Sequence, residues 1–349
     1  VKLGLSLSYQ SRWSTPADHL ALAQEADRLG YSVVWVAEAY GSDSVSVLSW
    51  IAGQTSRIDV GSAVMQIPAR TPAATAMTAA TIDTFSGGRF RLGLGVSGPQ
   101  VSEGWHGVRF DKPLGRTREY VDIVRRALRR EVLAYDGEHY TLPLPDGPGK
   151  ALKLGFRPLR ADIPVYLAAV GPKNLELAGE VTDGWLGIFV APDLVEGQLA
   201  SIAAGRARAG LDVKDFDVVA SVPTVLGDDV AACADVIRPH AALYVGGMGS
   251  RKQNFYNGIA VRMGFAAEAA EVQELYLTGR QRDAAVAVPQ DFIDRTSLLG
   301  PKDRIKDHIQ RYAESGVTTL SLHLFATDRE SSITTLRAVA EAYEAAGVA

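Results

Sequence analysis

Apolar runs of strand length alternate with helical segments along the whole of this chain, and that alternation admits few folds. Leu3, Leu5 and Leu7 alternate with small or polar residues, the period of a strand. Thr15-Pro16 then opens a helix, with Thr as N-cap and Pro at the first helical position. Leu22, Ala26 and Leu29 share one face of it before Gly30 ends it. Residues 33–37 are an unbroken apolar run, as a strand covered on both faces requires. The same reading places strands at 58–64, 90–96, 163–170, 185–190, 216–225 and 319–325, with helices between them. The last helix is marked by Leu336, Val339, Ala340 and Tyr343. Eight strands alternating with helices imply a parallel sheet. Over 349 residues the natural closure is an α/β fold of the (β/α)8 TIM-barrel type, with an open doubly wound sheet as the rival. No linker divides the chain, so residues 1–349 are expected to form one barrel domain with two insertions. One, near 131–162, holds Pro143, Pro145, Gly147, Pro148 and Gly149; it reads as an excursion over the barrel mouth with a hairpin around 135–142. The other, near 226–299, is mixed and partly helical.

Composition narrows the function. The formal net charge is −4, which gives no reason to expect nucleic acid or an anionic membrane as partner. The one cysteine, Cys233, cannot form an internal disulfide, and a small buried hydrophobe is its ordinary role. The alternating start reads as a strand and not as a signal-peptide core, and no apolar run approaches the ~20 residues of a membrane helix. The cytoplasm is the expected location.

Barrel enzymes place their chemistry at the C-terminal ends of the strands. The segments of interest are therefore 8–14, 37–43, 63–70, 96–107, 168–174, 189–192, 224–227 and 325–329. Gly93, Gly95 and Gly98 spell G-x-G-x-x-G, but a dinucleotide site needs a helix opening on the third glycine. Here Pro99 and a polar loop follow, and the next helix is expected near Thr117. The glycines read instead as a strand end that lets a planar ring approach the backbone. Residues 167–174 end a buried strand in small residues and turn directly into a helix. Free amides there suit a phosphate, with Lys173 nearby; a plain strand-to-helix turn is the alternative. Glu38 ends the second strand, where it could bond a ligand, move a proton or form a rim salt bridge. His106 lies beside Glu103 in the loop after strand four and suits proton transfer, or is simply exposed. No metal-ligand spacing and no G-x-S-x-G elbow occurs, so no metal is expected.

These residues resemble the luciferase-like family of flavin and deazaflavin oxidoreductases. The resemblance rests on Val34-Trp35-Val36-Ala37-Glu38, Gly61-Ser62-Ala63-Val64, and Ser86-Gly87-Gly88-Arg89-Phe90-Arg91-Leu92-Gly93-Leu94-Gly95. Residues 164–172 and 178–185 fit as well. Pro68-Ala69-Arg70-Thr71-Pro72, the loop from Gly98 to Gly107, and the stretch from Gly246 to Asn257 look most like the branch that uses coenzyme F420. The resemblance implies a luciferase-like barrel with a tricyclic ring in its mouth against strand three. It implies a non-proline cis peptide at Ala63-Val64, with Met65 and Gln66 flanking the ring and Val96, Ser97 and Gly98 along its other edge. Ala169, Val170, Gly171, Pro172 and Asn174 would hold the phosphate, and Glu38 would meet the cofactor. Alcohol and sugar-phosphate dehydrogenases of this branch carry an acid and a His after the strand-two Trp. Here Glu38 keeps the acid, but Ala39 stands at the His position, and Gly98 stands where those enzymes have a Glu. The expected activity is therefore hydride transfer between F420 and a small organic substrate, more readily reduction of an activated C=C or C=N bond than alcohol oxidation. Tyr40, His106, Glu103 or water would supply the proton. An FMN-dependent monooxygenase and a non-catalytic flavin- or deazaflavin-binding protein are the alternatives. The resemblance also implies a homodimer, often formed through the helices after strands two and three.

Overall fold

The computed structural model describes residues 1–7, 15–251 and 253–348; the mouth segment 8–14 lies outside them. Its strands are β1 (Lys2–Leu7), β2 (Val33–Val36), β3 (Asp59–Ser62), β4 (Met65–Gln66), β5 (Phe90–Gly95), β6 (Tyr135–Asp136), β7 (Thr141–Leu142), β8 (Val165–Ala168), β9 (Gly184–Ile188), β10 (Asp217–Leu226), β11 (Leu298–Gly300) and β12 (Thr319–Leu324). Eight of them form a closed parallel ring in the order β1, β2, β3, β5, β8, β9, β10, β12, and β12 pairs β1 to shut it. These are the eight strands that the apolar pattern predicts, with ends shifted by one to a few residues. The open doubly wound alternative is thereby removed.

The helices are α1 (Pro16–Arg28), α2 (Ser44–Ala52), α3 (Pro72–Phe85), α4 (Pro99–Ser102), α5 (Pro113–Leu128), α6 (Pro172–Val181), α7 (Glu196–Arg208), α8 (Val230–Ala242), α9 (Phe255–Arg262), α10 (Ala266–Leu277), α11 (Gln281–Ala287), α12 (Gln290–Arg295), α13 (Lys302–Glu314) and α14 (Arg329–Ala346). The Thr-Pro openings work as read: Thr15 and Thr71 accept from Asp18 N and Ala74 N, and each helix starts on its proline. Among the described residues no helix is long and apolar enough to cross a membrane.

Alternate strand residues face opposite sides, so the outer core fixes which positions point inward. Leu5, Val34, Val60, Leu92, Val165, Trp185, Val218 and Leu320 all lie in the cluster under the helices. The intervening positions fill the barrel. Trp35 and Tyr166 meet edge to face there, with ring centroids 5.1 Å apart. Glycines make the room: a Cβ on Gly61 would stand 2.4 Å from the Trp35 ring, and one on Gly184 would stand 2.3 Å from the Tyr166 ring. Below them Arg91 bonds Asp59, Asp217 and the Tyr166 hydroxyl and closes the barrel floor. A ligand can therefore enter only from the C-terminal end.

The two insertions behave differently. The 135–142 hairpin forms as expected, β6 against β7. The excursion does not cover the mouth, however. It climbs the outer side of α5, where the Glu119 carboxylate accepts from the backbone amides of Glu138, His139 and Tyr140, and only its turn reaches the rim, pairing Lys112 with Glu138. It returns to the barrel base, where Arg160 bonds Asp83 and Phe90 O. The 226–299 stretch does sit at the mouth. Its helices α8 to α12 form a second core that packs on Phe189, Ile188, Val225 and Phe325, at the ends of β9, β10 and β12. The short β11 within it, which the apolar pattern does not announce, extends the far end of β10.

Candidate active site

The inward positions at the top of the barrel decide what the mouth can hold. Alternation with the outer core assigns them to Ser6, Ala37, Ala63, Gly95, Ala168, Ile188, Pro223 and His323. The arc from β1 through β8 is all small residues, which leaves a shallow floor for a flat group. The backbone bends sharply around this floor. The Ala63-Val64 peptide is cis, as the resemblance implies. Ala39, Ser97 and Phe189, one residue or a few beyond β2, β5 and β9, have left-handed φ of 58°, 60° and 50°. Such conformations cost non-glycine residues of order 1 kcal/mol or more and collect at ligand sites.

Gln66 stitches two of these bends. Its amide donates to the Ala39 carbonyl, and its Oε1 is buried with no partner among the described residues. A buried acceptor left unpaired is costly, and an N–H of a bound ring would satisfy it. Met65 has another role. Its side chain is 1% exposed in the outer core, so only its backbone is left to meet a ligand.

Of the alternatives for Glu38, the structure builds the rim salt bridge. One carboxylate oxygen lies 2.6 Å from Arg70 Nη1, and the other accepts from the Ser44 hydroxyl at 2.6 Å. Arg70 also reaches Asp43 at 2.6 Å. Burial works against the Arg70 charge, but Glu38 and Asp43 more than offset it and raise its pKa. Tyr40 is exposed on the same rim, and burial together with the Tyr40 hydroxyl raises the pKa of Tyr276 on α10, burial being the larger cause.

The three glycines of β5 divide their work. A Cβ on Gly93 would stand 1.8 Å from Ser62 O, and one on Gly95 would stand 2.5 Å from Val64 Cγ2. Both let β3 approach β5, and Gly95 in addition keeps the floor shallow. Ser62 Oγ completes that seam, donating to Gly93 O at 2.8 Å and accepting from Gly93 N at 2.9 Å. Of the three, only Gly98 has room for a side chain, since a Cβ there would make an ordinary contact of 3.5 Å with Gln100 Oε1. A helix does begin directly after it, contrary to the expected polar loop, because Pro99 suits a first helical position. It is one turn long, and α5 begins at Pro113 instead of near Thr117. A dinucleotide site is excluded by the closed barrel and not by the missing helix. Val96 and Ser97 keep partial exposure at this edge. Glu103 is exposed and accepts from Phe110 N at 3.1 Å, holding its own loop. His106 has a buried Nε2 without a partner among the described residues.

The turn into α6 has the features of an anion site. Gly171 caps the helix with no side-chain bond, and a Cβ there would meet nothing within 4 Å. The amides of Asn174 and Leu175 both turn back to Gly171 O, which leaves those of Gly171 and Lys173 for a ligand. Asn174 Oδ1 is buried beside them with no partner among the described residues, which leaves the side-chain NH2 as the group that could donate to an anion. Ala169, by contrast, is core, and its carbonyl accepts from Trp185 Nε1 at 2.8 Å. Arg262 of α9 reaches Val170 O at 3.5 Å, and among the described residues no carboxylate pairs with it.

Arg70, Arg262, His240 and His323 escape the sequence reading. His323 alone had a signal, since alternation with Leu320 and Leu322 turns it inward; the others depend on chain path. Burial holds the His323 pKa down to about 4, and burial together with His323 holds His240 well below the usual histidine value. Both imidazoles are therefore neutral at pH 7. Among the described residues no cluster could hold a metal.

A family model described as luciferase-like monooxygenase matches residues 2–319. A Mycobacterium tuberculosis protein, named as a candidate coenzyme F420-dependent oxidoreductase, is 44% identical over 329 residues, 92% of this chain and 94% of the relative. A 5,10-methylenetetrahydromethanopterin reductase of Archaeoglobus fulgidus is 29% identical over 324 residues, 91% of this chain and 92% of the relative. The structure of the coenzyme F420-dependent tetrahydromethanopterin reductase of Methanopyrus kandleri has the same fold, with a TM-score of 0.82 at 24% identity and 97% of each chain covered.

Proposed function

Because the chain belongs to the luciferase-like monooxygenase family, we propose that it is an oxidoreductase that binds coenzyme F420 in the barrel mouth and reduces an activated C=C or C=N bond of a small organic substrate. The observation that carries this reading is the small-residue floor with the unpaired Gln66 Oε1 at its edge. The N–H of a deazaflavin or flavin pyrimidine ring matches that acceptor, so the residues present fit the group. Ala63, Val64, Gly98 and the backbone of Val96 and Ser97 would border the ring. Gly171, Pro172, Lys173 and Asn174 would take the phosphate, with Arg262 as added counter-charge. The preference for F420 over FMN is supported by the Mycobacterium tuberculosis relative, whose name carries that cofactor.

Reduced F420 supplies a hydride when bound. The chain binds and orients, and it need not remove a proton from the substrate. Glu38 is occupied by Arg70 and Ser44, and Ala39 and Gly98 carry nothing to titrate. That arrangement favours reduction over alcohol oxidation, which requires a base at the hydroxyl. The closing proton comes from Tyr40, His106 or solvent at the rim. Two copies would pair through α2 and α3, which carry the exposed apolar side chains Trp50, Met77 and Phe85. The single cysteine suits a reducing cytoplasm.

The test is anaerobic mixing of the protein with reduced F420 and a panel of enones, imines and secondary alcohols. Oxidation of F420 by an enone or imine, dependent on protein, is the expected result. Activity only with reduced FMN and oxygen would make the chain a monooxygenase, and no turnover with any acceptor would leave a binding protein.

A further inference from the structure

Opposite the small-residue floor, the mouth is walled by rings. β12 lies four places from β5 in the closed ring, so His323 faces Gly95 across the barrel axis. Its imidazole stands 5.1 Å from that of His240 at an interplanar angle of 82°, and 4.6 Å from Phe325. His240, on α8, stands 4.8 Å from Tyr244, which sits in a π-helical turn over Leu243–Gly247. Such turns re-aim side chains and recur at functional sites. Phe189 and Tyr256 complete the group, 5.7 Å and 4.9 Å from Tyr244.

Two features separate this cluster from ordinary core. First, neither imidazole has a hydrogen-bond partner among the described residues, whereas core histidines satisfy their nitrogens. Second, His240, His323, Tyr244, Tyr256 and Phe325 all keep an accessible edge although neighbours enclose them, so they line space. Among the described residues, the only titratable group acting on either imidazole is the other imidazole. Among the described residues, the cations of the site with no carboxylate partner, Lys173 and Arg262, are gathered at the α6 turn instead.

We propose that His240, Tyr244, Tyr256, His323 and Phe325, backed by the buried Phe189, form the substrate subsite, and that it takes a flat, uncharged, conjugated or aromatic carbonyl compound whose oxygen accepts an N–H from His240 or His323. The proposal rests on the reading that the opposite side of the mouth holds the cofactor ring. The rings offer π faces and edges to a planar guest. A neutral imidazole offers one donor and no charge, which suits a carbonyl oxygen. A carboxylate or phosphate would lose its hydration there and gain no counter-charge. A hydrogen bond to that oxygen also draws electrons from a conjugated C=C, the bond that accepts a hydride.

The test uses the full chain, alone and with oxidised F420, and two probes of one shape: benzalacetone, a planar aryl enone, and cinnamate, its carboxylate counterpart. Calorimetric titration is expected to show benzalacetone binding about tenfold or more tighter than cinnamate. His240→Phe and His323→Phe keep a ring in place and remove the N–H; at least one is expected to weaken benzalacetone about tenfold while leaving F420 affinity unchanged. In the wild-type chain, nitrogen NMR of the histidine rings is expected to show His240 or His323 shifting with benzalacetone while His139 does not, a readout independent of how the variants fold. No benzalacetone binding, equal cinnamate binding, wild-type affinity in both variants, or unmoved His240 and His323 signals overturns the proposal. If F420 fails to bind while benzalacetone still reports on these histidines, the cofactor reading falls and the subsite stands.

Discussion

Gly171→Ala separates binding from folding at the α6 turn. Gly171 has φ −90° and ψ 157°, a conformation open to alanine, and the added Cβ meets nothing within 4 Å. Reduced freedom of the unfolded chain stabilises by about 0.4–1 kcal/mol. Alanine is the poorer N-cap, which costs roughly 0.5–1 kcal/mol. The two nearly cancel, so the melting temperature is expected to move by no more than about 3 °C. Binding has no such compensation. The methyl group occupies the space in front of the free amides of Gly171 and Lys173, which the phosphate would use. Losing one charge-assisted hydrogen bond costs about 1.5–3 kcal/mol, or roughly ten- to a hundredfold in affinity. Gly197→Ala is the control, since that glycine of α7 also faces open space and lies on another turn. Calorimetric melts and fluorescence titration with F420 measure both quantities. A Gly171→Ala protein that binds F420 like wild type would refute the placement of the phosphate.

Other perturbations probe the rim and the barrel seam. Glu38→Gln leaves Arg70 facing a neutral partner across a contact that is 9% exposed on the Glu38 side, so chemical unfolding should show a loss of roughly 2–3 kcal/mol. F420 turnover should stay within a few-fold; a large loss of turnover at unchanged stability would return Glu38 to the chemistry. Gly95→Ala drives a Cβ to 2.5 Å from Val64 Cγ2 and should cost about 1–3 kcal/mol while weakening F420 in titration, because Val64 must shift toward the ring. Stability should also depend on pH through His323, whose folded pKa is about 4 against ~6.5 unfolded. Between those values the unfolded chain holds the extra proton, so this contribution is full above pH ~6.5 and is lost as the pH falls toward 4. Melts of His323→Phe across that range should show a flatter decline than wild type; parallel curves would contradict the burial of this ring.

The barrel was legible because its strands are covered on both faces and its helices carry their own start signals. Residues 33–37 and 163–170 could be little else, and Thr15-Pro16 and Thr71-Pro72 mark helix starts by local geometry alone. The cis peptide at Ala63-Val64 came from resemblance, since no propensity announces it. The site was only partly legible, because it depends on what local pattern does not encode. Glu38 could be read as acid or salt bridge until Arg70, 32 residues away, was placed against it. Gly93 and Gly95 share a motif with phosphate loops, but their neighbours Ser62 and Val64 show them to be packing glycines. His240 belongs to an insertion whose path is set by its second core on the ends of β9, β10 and β12, and that packing is invisible in sequence.

If the small-residue floor of the barrel holds a deazaflavin, the full chain binds F420 in preference to FMN. Fluorescence titration of the full chain with F420 and, separately, with FMN tests it most directly. Saturable F420 binding that is weakened by Gly171→Ala and Gly95→Ala, with FMN bound more weakly, is the expected result. Tight FMN binding with no affinity for F420 would contradict it.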